Sequence, residues 1–187
     1  MTLEKIVKVL GFIAFLGGIA RMGMTPSGLI WGSDSTPELI FAFAASILMA
    51  ISSMALFMSQ SRQTGVFGFI SGLILSTGNL MLLATFYGLF AYGDYPKDGL
   101  FVNLANSLSY GGLLLATVIL MIVTFRAKVF PRWYAIVFLL MLVCLGLPFL
   151  GDFFAFFWGL TYVLMGYSIF TGKGINVVTV KKEEIAS

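Results

Sequence analysis

Residues 100–125 read LFVNLANSLSYGGLLLATVILMIVTF. No charge interrupts the run, and it exceeds the about 20 apolar residues that an α-helix needs to cross a hydrocarbon core. Its polar members are Asn103, Asn106, Ser107, Tyr110 and, further on, Thr117. At 3.6 residues per turn these five share one face of a helix. A polar stripe on so apolar a helix needs neighbours to satisfy it. The stretch therefore predicts a membrane-spanning helix and a bundle packed around it.

The rest of the chain agrees. Of 187 residues, 59% are hydrophobic and only 10% charged, and the mean hydropathy is +1.01. Soluble domains run at about 45–50% apolar and about 25% charged. Six apolar runs are long enough to span: 6–24, 37–59, 65–91, 100–125, 132–150 and 152–170. The expectation is an all-α, polytopic transmembrane bundle of six helices. It forms a single domain over residues 1–171, followed by a short cytoplasmic tail over 172–187.

Charge placement predicts orientation. With the N-terminus cytoplasmic, the inner loops and ends hold Lys5, Lys8, Arg62, Arg126, Lys128, Arg132, Lys173, Lys181 and Lys182, whereas the outer side holds only Arg21 and Lys97. That asymmetry obeys the positive-inside rule with both termini inside. Asp34, Glu38, Asp94, Asp98 and Asp152 fall on the outer side. The net charge of +3 is dispersed over loops and ends rather than gathered on a soluble face, which argues against nucleic acid as a partner. The N-terminus also has the form of a leader, with a basic start, an apolar core and the small residues of Gly18-Ile19-Ala20; cleavage there would leave five helices.

Local punctuation supports the boundaries. Ser35-Thr36-Pro37-Glu38 has the spacing of a capping box with proline in the first turn. Asp152 follows Gly151 as a candidate N-cap of the last helix, and Pro148 ends or kinks helix five. Gly68 and Gly72 form a GxxxG pair, which serves either packing within the chain or a homodimer. The two halves of the chain show no convincing inverted repeat.

The inventory for chemistry is thin. Histidine is absent and Cys144 is the one cysteine. Haem and zinc sites built on His, disulfides within the chain and CxxC redox chemistry are therefore excluded, and no cofactor or metal is expected. No intramembrane carboxylate pair and no nucleophile with a matching base can be assembled. The polar residues that remain gather towards the outer half. Arg21, Asn79, Asn103, Asn106 and Tyr110 are the candidate ligand-binding residues, with Glu38 and Asp152 as ion-pair or capping residues. Three readings of Arg21 stay open: a snorkelling interfacial side chain, an ion pair with a nearby acid, or an anchor for an anionic ligand. The asparagines suit interhelical hydrogen bonds as well as a binding site.

The C-terminal half, VFPRWYAIVFLLMLVCLGLPFLGDFFAFFWGLTYVLMGYSIF, resembles uncharacterised bacterial polytopic membrane proteins of the DUF4386 type. The likeness lies in Pro131-Arg132-Trp133 at the start of one helix and Met165-Gly166-Tyr167 near the end of the last. It implies a bacterial plasma (inner) membrane and carries over no functional residue. The expected function is non-enzymatic: binding or transport of a small or amphipathic molecule through an outward-facing polar pocket. The alternatives are a structural or regulatory subunit packed on a partner membrane protein, and, more weakly, an enzyme acting on lipid. Membrane lipid is the expected surrounding partner.

Overall fold

The computed structural model describes residues 2–93 and 99–173. All regular structure among them is helical: α1 (Leu3–Trp31), α2 (Thr36–Met58), α3 (Ser61–Tyr92), α4 (Leu100–Ala127), α5 (Trp133–Gly146) and α6 (Phe154–Phe170). Five helical stretches are long and apolar enough to cross a membrane, the arrangement of a multi-pass integral membrane protein; α5 is apolar but shorter. The residues Asp94, Lys97 and Asp98, and nearly all of the expected tail, lie outside the described residues.

The helices form a ring in chain order, with α1 packed extensively on both α2 and α6, and the ring closes sparsely between α4 and α5. The interior holds Tyr162, Phe138, Met49, Leu56, Leu75 and Leu120, each almost fully buried. Large apolar side chains such as Phe67, Leu115 and Ile136 point outwards, as a lipid-facing surface requires.

Small residues set the closest approach. A Cβ on Gly18 would stand 2.5 Å from the Gly159 carbonyl oxygen, and one on Gly159 would stand 2.5 Å from the Gly18 oxygen. Two turns along, Gly166 lies against the Gly11 carbonyl and the Phe15 nitrogen of α1. Glycine at these positions lets the α1 and α6 backbones touch. Gly72 of the GxxxG pair instead meets Met54 and Phe57 of α2, and Gly68 meets Phe57. That motif is engaged within the chain.

Three boundaries differ from expectation. Helix α1 runs on through Pro26 to Trp31, so most of the stretch expected as a loop is helical and the turn shrinks to residues 32–35. Thr25 Oγ1 anchors this extension by donating to the Asp152 carbonyl oxygen at 3.0 Å. Helix α5 stops at Gly146 rather than 150, because proline disfavours the helical region in the residue before it. Leu147 is accordingly extended (φ −113°, ψ 112°), and a 3₁₀ segment, Pro148–Phe153, leads into α6. Asp152 therefore sits inside that segment, and the N-cap of α6 is Phe153, without a side-chain capping bond. Helix α3 begins at Ser61, but helical geometry breaks at Gly65 (φ 53°), the position where the span was expected to start.

Helix α4 holds a further departure. Its middle, Ser107–Gly112, is a π-helical turn between Leu100–Asn106 and Leu113–Ala127. A π-turn places an additional residue in the turn and rotates the residues before it relative to those after it. From Ser109 onward the buried positions are 109, 113, 116, 117, 120 and 124, a regular α-helical face. Before the turn, Leu100–Asn106 buries nothing.

Candidate functional site

Arg21 lies about 27 Å along α1 from Leu3 and about 15 Å from Trp31, at 1.5 Å per residue. Its flanks are fixed by close helix contacts: Gly18 against Gly159 on α6, Gly17 against Met49 and Gly23 against Phe41 on α2. The side chain is only 4% exposed, so it does not snorkel. Its guanidinium carbon stands 4.2 Å from the Trp158 ring centroid and 5.9 Å from that of Phe86. Glu38 attracts it electrostatically without forming a contact ion pair. The Arg21 Nε and Trp158 Nε1 are both buried and both lack a hydrogen-bond partner among the described residues.

These two side chains form the floor of a cavity of about 340 Å³. Leu82 of α3, Ser109, Leu113 and Thr117 of α4, and Met141 of α5 complete its buried part, and Tyr110, Gly111, Leu114 and Leu145 form an exposed rim. The π-turn is what turns Ser109 inward and leaves Tyr110 at the edge. It packs tightly on α3: a Cβ on Gly78 would lie 2.6 Å from Leu113 Cγ and 3.0 Å from the Leu108 carbonyl oxygen.

A polar knot lies behind Arg21. Tyr162 Oη and Ser53 Oγ are 2.9 Å apart, and the Asn79 side chain of α3 lies near the same hydroxyl. Asn79 is fully buried; its Nδ2 donates to the Leu75 carbonyl at 2.8 Å, while its Oδ1 lacks a partner among the described residues. Residues of α2, α3 and α6 thus come together through Ser53, Asn79 and Tyr162.

The expected site residues separate under this geometry. Arg21 and Tyr110 line one cavity, and Asn79 stands behind it. Asn103 is exposed and Asn106 half-buried, and neither lines the cavity. The π-turn removes them from the face they would share with Thr117 on an uninterrupted α-helix. Glu38 Oε2 accepts from the backbone N–H of Asp34, the residue before the Ser35 N-cap, at 2.7 Å. The Ser35 half of the expected capping box does not form. Asp152 is exposed and contributes its backbone carbonyl rather than its carboxylate to the α1 contact. The pocket is also less polar than expected, since its walls are mostly leucine, methionine and aromatic side chains.

Ser109, Trp158 and Tyr162 emerge as site residues only here. Tyr162 sits in an almost uninterrupted apolar run, and its spacing of four from Trp158 is a signal that both face the same way.

No family model matches the chain, and neither a curated protein nor a solved structure matches it.

Proposed function

We propose that this protein binds, and carries within or across its membrane, a small or amphipathic molecule bearing an anionic group. One observation supports this most: a buried arginine and a buried tryptophan, each with an N–H donor unpartnered among the described residues, share the floor of a largely apolar cavity. Burying a cation without a contact counter-ion is costly, and the Trp158 face offsets only about 2 kcal/mol or somewhat more of it. An acceptor-rich anion would satisfy both donors and the guanidinium charge together. Largely apolar pockets of about 300–1,000 Å³ with a few convergent polar groups are the usual form of a ligand site.

In this reading both termini are cytoplasmic, as the Lys and Arg bias suggests, the site lies towards the outer leaflet, and the host membrane is the bacterial plasma membrane. A subunit role through glycine faces has less support, because the closely packed glycines of α1, α3 and α6 are engaged within the chain. The test is mass spectrometry of small molecules co-purifying with the protein in mild detergent. Wild type is expected to retain an anionic species that Arg21→Met releases. Equal retention by both would overturn the proposal.

A further inference from the structure

The cavity is lined along the middle of α4, by the last turn of α5 and by Phe154 at the start of α6. Its exposed rim, Tyr110, Gly111, Leu114 and Leu145, lies on α4 and α5, along the seam where the ring of helices closes most sparsely. Tyr110 to Leu114 lie about 15–21 Å along α4 from Leu100 at 1.5 Å per residue, midway down a spanning helix. That places the α4 part of the mouth on the side of the bundle, at hydrocarbon depth. The rim carries no charge, and Tyr110 is 57% exposed, Leu145 49% and Leu114 40%. These side chains would face acyl chains. Two other recesses, of about 330 and about 270 Å³, are also apolar, but no buried charge lines either one. They are what lipid packing against an irregular helical surface would fill. The cavity at Arg21 pairs a lipid-facing mouth with a buried cation.

We infer that the ligand is a lipid-derived amphiphile, an anionic headgroup on an acyl chain, that enters sideways through the α4–α5 seam and sets its headgroup beside Arg21 and Trp158. Its chain leaves past Tyr110 and Leu145 into the bilayer. A water-soluble anion would need a polar route from the surface to Arg21, whereas an amphiphile keeps its chain in hydrocarbon throughout. The inference rests on the reading of the cavity as an anion site, and it adds the source of the ligand and the direction of entry.

Trp158 provides the test, because it is one of three tryptophans and stacks on Arg21. Trp31→Phe and Trp133→Phe leave it as the sole reporter. The full chain is placed in phosphatidylcholine nanodiscs and titrated with dibromostearate, with its neutral methyl ester, and with aqueous iodide. The acid is expected to quench Trp158 saturably, at a mole fraction about tenfold below that of the ester, given the preference of guanidinium for carboxylate. Arg21→Met should erase that difference. Leu114→Phe combined with Leu145→Phe, which narrows the rim without touching the floor, should weaken quenching by the acid. Equal quenching by acid and ester in the Trp158 reporter protein overturns the inference, even if Arg21→Met fails to fold. Undiminished quenching by the acid in the narrowed-rim variant overturns the route. If only iodide quenches in an Arg21-dependent way, the anion site stands and the lipid ligand falls. If neither probe depends on Arg21, both readings fall.

Discussion

At the scale of the residue, Arg21 separates function from stability. A buried cation lacking a contact partner carries a desolvation penalty of roughly several kcal/mol that an apolar side chain of similar volume does not. Arg21→Met should therefore leave the detergent melting temperature unchanged or raise it, while abolishing retention of the ligand. A clear fall in melting temperature would mean that the arginine serves the fold. Tyr162→Phe makes a useful contrast. It removes the 2.9 Å contact with Ser53 but preserves packing, and hydrogen bonds between membrane helices average about 0.6 kcal/mol. Its melting shift should be small, with ligand retention largely kept.

At the scale of the element, the α1–α6 crossing and the π-turn make opposite predictions. A leucine at Gly159 would force its side chain into the α1 backbone, where even a Cβ meets the Gly18 oxygen at 2.5 Å. Overpacking of this kind costs about 1–3 kcal/mol, and more where backbone must move, so Gly159→Leu should lower the melting temperature sharply or prevent folding. Deleting Gly111 should do something different. It removes the additional residue of the π-turn and rotates Leu100–Asn106, which buries nothing. The bundle should survive, while Tyr110 leaves the rim; an unchanged melt with weakened ligand retention is the expected pair of results. Loss of the fold on deleting Gly111 would show that the π-turn serves packing rather than the cavity.

At the scale of the whole molecule, the topology is open to direct measurement. With Cys144→Ser as background, a membrane-impermeant maleimide applied to intact cells should label Ser33→Cys, in the α1–α2 turn, and leave Arg62→Cys, at the start of α3, unlabelled. Both positions are exposed, so burial does not confound the comparison. The reverse pattern would invert the orientation and place the Arg21 level in the inner leaflet. The cavity and its side mouth would be unaffected, because they are properties of the ring and not of its direction.

The spans were legible in the sequence because insertion into hydrocarbon depends on summed side-chain transfer energies, which any window of the chain carries by itself. Pro148 likewise announced the end of α5 through a purely local clash, acting on Leu147, so that the helix ends at Gly146, four residues before the expected boundary at 150. The sequence also marked Arg21 as the residue hardest to place in a membrane. What it could not convey was which side chains share a face around residues 107–112, because strict 3.6-residue periodicity fails at a π-turn. Asn103 and Asn106 were lost from the site for that reason, and Ser109 was gained. Nor could a linear reading foresee that Trp158, in the last helix, would lie 4.2 Å from the Arg21 guanidinium. Membership of the bundle was determined by the sequence alone. The site was decided by tertiary structure, since a buried charge acquires its meaning from the helices that close around it.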